Sequence, residues 1–162
     1  MASTAGAHDF KPSIVIVGIG NWQVESDSLG PSVLIMLEGR YGETVFLKNI
    51  GTTPLGLLEC LDSQDLMLIV DACVIDGIPG RIHVQRPDLD AEPQNLPTLH
   101  HIGPLETLMV ARHLYPRQLP KNILLVLVET DGLERSMMNA ARREVISIID
   151  KEISNILITS GA

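Results

Sequence analysis

The chain of 162 residues is poor in basic side chains and nowhere gathers them. Its 12 Lys and Arg stand against 20 Asp and Glu, a formal net charge of -8, and Arg142-Arg143 is the longest basic run. Nucleic-acid binding draws on clustered cations, so that class of partner is excluded. Cysteine is equally scarce: Cys60 and Cys73 form no CxxC pair, and both are expected as buried core thiols. The longest apolar stretches, such as Ile123 to Val128, fall far short of the ~20 residues that cross a bilayer. The start, "MASTAGAHDFKPS", lacks a basic segment followed by an apolar one, and a soluble cytoplasmic protein with no membrane partner is expected. There is no HExxH, which argues against a zinc peptidase of that type. What is present is apolar: 45% of the residues, enough for a real core and too much for disorder.

Apolar runs alternate with amphipathic ones. Residues 1–12 read as a loose tail and 13–157 as one domain. Strands are expected at 13–18, 43–49, 66–72, 80–86 and 122–130, and helices at 31–41, 54–62, 104–115 and from about Ser136 onward. "LMLIVDA" (66–72) is apolar on both faces, as suits a central strand covered on both sides. Only about eight residues lead from it to "GRIHVQR" (80–86), too few for a crossover helix, so that strand is expected as its antiparallel neighbour. In the last helix Met138, Ala141, Val145, Ile149 and Ile153 recur on one face. The sum is a three-layer α/β sandwich, a mainly parallel sheet of about five strands with one antiparallel, and helices on both faces. Ligands of such sheets bind beyond the carboxyl ends of the strands.

The loop after the first strand, "GIGNWQVESDSLGP" (18–31), has the glycines of a phosphate loop but not its chemistry. A dinucleotide fingerprint needs glycine where Gln23 stands, and a Walker loop needs Lys-Ser/Thr where Pro31-Ser32 follow Gly30. Glu25 and Asp27 would repel a phosphate. A cation suits the loop better. Asp27 also has an ordinary role available, capping the helix that follows. Asp71 ends the all-apolar strand, where an unpartnered carboxylate is costly and calls for a partner or a metal. His100 and His101 precede a helix at the same edge. Two carboxylates and one imidazole suit Zn or Ni better than Mg or Ca. His83 and His113 read as packed or exposed side chains, and Glu129 and Asp131 as solvated loop carboxylates.

In order along the chain, "GIGN…SDSLGP" (18–31), "IGTTPLGLL" (50–58), "LIVDA" (68–72) and "LHHIGPLETL" (99–108) resemble the hydrogenase maturation endopeptidases. The resemblance spans roughly residues 13 to 155. It implies an endopeptidase that removes the C-terminal extension of a nickel–iron hydrogenase large-subunit precursor. The family's metal-contacting residues fall on Asp27, Asp71 and His100, and its Gly-Thr after strand two on Gly51-Thr52, near the substrate. The metal implied is nickel, supplied by the substrate and not held by the free enzyme. Ser26 departs from the family's acidic pair, Thr98 replaces the serine of its Ser-x-His-x-x-Gly pattern, and "GLERSMMNA" replaces its usual entry to the last helix. The default assembly is a monomer. Two other readings compete: a nickel-binding chaperone without proteolysis, and a phosphoacceptor receiver. The receiver needs a lysine after its last strand, whereas Lys121 precedes it.

Overall fold

The computed structural model describes residues 12–75, 77–91 and 102–160, within which five strands pair into one sheet. They are β1 (Ile14–Gly18), β2 (Val45–Asn49), β3 (Leu66–Cys73), β4 (Ile82–Gln85) and β5 (Ile123–Glu129), in the order β2-β1-β3-β5-β4. Three α-helices, α1 (Leu29–Leu37), α2 (Pro104–Leu114) and α3 (Arg135–Ser160), accompany short 3-10 turns at Glu25–Asp27 and Pro54–Cys60. The expected tail lies outside the described residues except for Pro12.

Side chains alternate across a strand, and here both faces are covered. Ile14 and Ile16 of β1, Leu66, Leu68 and Val70 of β3, and Leu124, Val126 and Val128 of β5 share one core. Against it pack Leu29, Val33 and Leu37 of α1 and Met138, Ala141, Val145, Ile149 and Ile153 of α3, the face anticipated from their spacing. Tyr41 Oη donates to Asp150 Oδ1 at 2.6 Å beside the Arg40–Asp150 ion pair, fastening the end of α1 to α3. Val15, Val17, Met67, Ile69 and Leu125 face the other way, against Leu57, Cys60, Leu108 and Ala111. The sandwich therefore has the three layers expected.

All pairings are parallel except that of β4 with β5. One expectation is corrected here: residues 82–85 are antiparallel, but their neighbour is β5 and not the preceding β3. Both flanks of β3 are occupied, by β1 and β5, so the short connection must carry β4 past β5 to the sheet's margin. The 31–41 helix begins earlier, at Leu29, with Pro31 in its first turn, where an N–H has no helical partner to lose.

Lys121 lies at the amino edge of the sheet, paired with Asp65 at 2.7 Å, opposite to where a receiver's lysine would sit. There too Ser63 N–H donates to Gln118 O and Lys121 N–H to Gln64 O, which brings the chain after α2 to the amino edge. Helix α2 therefore starts at the carboxyl edge. Its start is held by Pro104 at the first position and by the Glu106 carboxylate, which accepts the Gly103 N–H at 3.0 Å.

Candidate functional site

The chain leaves β1 for β2 on one side and reaches β3 on the other, so the loops after β1 and β3 part. Such a reversal opens the crevice in which doubly wound sheets bind their ligands. Asp27, from the loop after β1, and Asp71, from the end of β3, meet there.

The first loop is folded tightly on itself. The Asn21 N–H donates to both the backbone oxygen and Oδ2 of Asp27, each at 2.9 Å. Gly20 has φ +140°, and a Cβ on it would lie 2.0 Å from the Asp27 oxygen. A Cβ on Gly30 would lie 2.2 Å from Ile19 O and 2.8 Å from Val70 O. These two glycines thus let backbones approach, as a phosphate loop's glycines would, while the loop presents a carboxylate instead of a row of amides. The capping role for Asp27 is not what it does: Ser28 is the cap residue of α1, its hydroxyl donating back to Glu25 O and not capping the helix, and Asp27 closes the loop.

Asp71 has the same alternation as Met67 and Ile69, which puts it on the face that α2 covers. Burial pushes its carboxyl up to about 7; the Ala72 N–H opposes this, and the negative charge of Asp27 adds to it. A shallow cleft of about 290 Å³ opens here, lined by Ser26, Asp27, Ala72, Cys73, Val74, Thr130 and Asp131. Gly51, at φ +67°, meets the same edge, since its carbonyl accepts the Gly20 N–H at 2.8 Å, and Thr52 beside it is exposed. His100 and His101 lie outside the described residues; the helix start that follows them in sequence, Gly103-Pro104, is at this edge and on the face of Asp71.

A family model described as HycI, hydrogenase maturation protease, matches residues 32–158. The chain belongs to the hydrogenase maturation protease family. Among solved structures it is similar to the hydrogenase maturating endopeptidase HybD from E. coli, at 24% identity and a TM-score of 0.65, over 86% of this chain and 93% of that one. It is also similar to the NiFe hydrogenase maturation protease HycI from Thermococcus kodakarensis, at 25% identity and a TM-score of 0.62, covering 91% and 93%. A hydrogenase 2 maturation peptidase from a Thaumarchaeota archaeon shares the fold at 19% identity, with a TM-score of 0.59 over 88% and 98%. No curated protein sequence matches. The family match takes in Asp71 and His100 and begins after Asp27, so the acidic loop of this member stands on its own geometry.

Two expectations near the site are corrected. Cys60 is buried, but Cys73 is only half-buried and borders the cleft. Glu129 is no solvated loop residue: it ends β5 and is 1% exposed. His83 faces it, Nε2 to Oε1 at 3.1 Å. Sequence reasoning missed this group because Glu129 stands 46 residues beyond His83, and only the β3-β5-β4 order makes Cys73, His83 and Glu129 neighbours. Glu25 is exposed, with Arg135 at 3.4 Å.

Proposed function

We propose that this protein is an endopeptidase that trims the C-terminal extension of a nickel–iron hydrogenase large-subunit precursor, reading the substrate's nickel through Asp27, Asp71 and His100. The observation that carries the reading is the placement of Asp71, at the end of the buried strand β3, near enough to Asp27 for their charges to interact at the sheet's crossover point. Two like charges converging in a half-buried crevice are unfavourable alone and become favourable when a cation arrives. Carboxylates and an imidazole suit a nickel ion, and three ligands leave its remaining positions to the substrate.

In this reading the nickel is part of the substrate. Asp71 gives up its proton as the ion approaches, and Asp27 is already aimed by its bonds to Asn21. The scissile bond then lies alongside, where either the ion polarises the carbonyl or a carboxylate takes a proton from water. Val74 lines the cleft, and Trp22 and Val24 in the first loop and Ile75 and Ile78 after β3 are exposed as well, apolar surface suited to a polypeptide substrate. Gly51 and Thr52 offer backbone to the same chain.

The test is incubation with large-subunit precursor, with and without nickel, followed by mass measurement. Shortening of the nickel-loaded precursor alone is expected. Asp27→Asn and His100→Ala should each lower the rate at least ~100-fold with thermal unfolding little changed. A precursor that binds and stays intact would replace the protease with a maturation chaperone.

A further inference from the structure

Cys73, His83 and Glu129 each offer one ligand atom to a common point, and these atoms lie within 4.8 Å of one another. We propose that they form a second metal site, taking a transition-metal dication of the Zn²⁺ or Co²⁺ kind. It is separate in ligands and in chemistry from the Asp27–Asp71 crevice.

The sheet explains the juxtaposition. Cys73 and Glu129 are register partners on parallel β3 and β5, so their side chains leave the same face side by side. His83 is opposite Leu127 on antiparallel β4, which puts its ring on that face too, diagonal to Glu129. Tetrahedral ligands at about 2.0–2.3 Å from an ion stand roughly 3.3–3.8 Å apart. The His83 Nε2 to Glu129 Oε1 separation of 3.1 Å is already close to such an edge, and a 4.8 Å limit is within reach of one side-chain rotation at Cys73.

The carboxylate is aimed: Ile75 N–H donates to Glu129 Oε1 at 2.8 Å, behind the ligand position. The donor set is sulfur, nitrogen and oxygen, which selects zinc-like ions and rejects Mg²⁺ and Ca²⁺. Ligation sends the Cys73 proton to water and leaves the His83 proton on Nδ1. A thiolate, a carboxylate and a dication sum to zero charge, which suits a place where His83 is 16% and Glu129 1% exposed. Cys73 also lines the cleft, which gives an ion from solvent a way to the site.

The full chain, stripped with chelator, is titrated with Co²⁺ alone and watched by absorbance. One equivalent is expected to raise a thiolate-to-cobalt charge-transfer band in the near ultraviolet, and Zn²⁺ should bleach it. Cys73→Ser should abolish the band. His83→Gln should weaken binding at least ~100-fold, beyond the effect of losing a group behind a ligand. Cys60→Ser and Asp71→Asn should leave the band intact, the latter because the crevice holds no thiolate. Circular dichroism on each variant identifies any that fail to fold, and those are replaced by Cys73→Ala or His83→Asn. Absence of the band at several equivalents, or its persistence in Cys73→Ser, overturns the proposal. Loss of precursor cleavage with the band retained would bear on the crevice alone.

Discussion

Replacing Asp71 by Asn should make the protein more stable at pH 8, and hardly change it at pH 4. Burial lifts the Asp71 carboxyl from 3.8 to about 7, so between those values the folded chain holds a proton that the unfolded chain has released. With more protons bound in the folded state, wild-type stability falls as pH rises through this window. At about 1.4 kcal/mol per pH unit, the displacement corresponds to an upper value of about 4 kcal/mol. Water entering the open cleft and relaxation around it reduce this to about 2 kcal/mol. Asn keeps the shape and removes the charge, so the variant should be free of this loss. Urea unfolding of both proteins in chelator, at several pH values from 4 to 8, gives the difference directly, because the remaining groups cancel. With a slope near 2 kcal/mol per molar, the variant's midpoint should exceed wild type by roughly 1 M at pH 8. A difference that stays flat with pH, or a less stable variant at pH 8, would refute the buried-carboxylate reasoning.

Asp27→Asn should leave most of that pH dependence in place, since burial ranks above the charge of Asp27 in raising Asp71; NMR titration of the Asp71 carboxyl checks it. Gly30→Ala forces a methyl into the Ile19 and Val70 carbonyls, and should cost roughly 1–3 kcal/mol or more, read as a fall in Tm. Asp150 is partly buried, which opposes its ionisation, yet bonds from Arg40 and Tyr41 prevail and hold its carboxyl below 3.8. Its contribution is present above that pH and fades as pH falls through the folded value. Asp150→Asn should therefore cost about 1 kcal/mol at pH 7 and little in strong acid, by urea unfolding.

Much of this arrangement is legible in the residues. The apolar runs of β1, β3 and β5 announce strands buried on both faces, and the 3.6-residue spacing from Met138 to Ile153 announces α3, because burial repeats with the geometry of each element. Asp71 stands out for a related reason: a carboxylate directly after five buried side chains is a conflict visible in one dimension. The partner of β4 is not legible, since local spacing forbids a crossover helix but does not say which flank is vacant. Nor is the meaning of His83 or Glu129, each ordinary in its own stretch. They acquire a role only when β5 lies between β3 and β4, which no local pattern encodes.

The packing of α3 across α1 also sets a schedule. A ribosome finishing β3 has released the strands whose outer face awaits Met138 to Ile153, roughly eighty residues later. At about 5–20 residues per second that face stays uncovered for some 4–16 seconds. During this interval Leu66, Leu68 and Val70 have no lid but α1, so the emerging chain is a natural client for a holding chaperone until the final helix closes over the sheet.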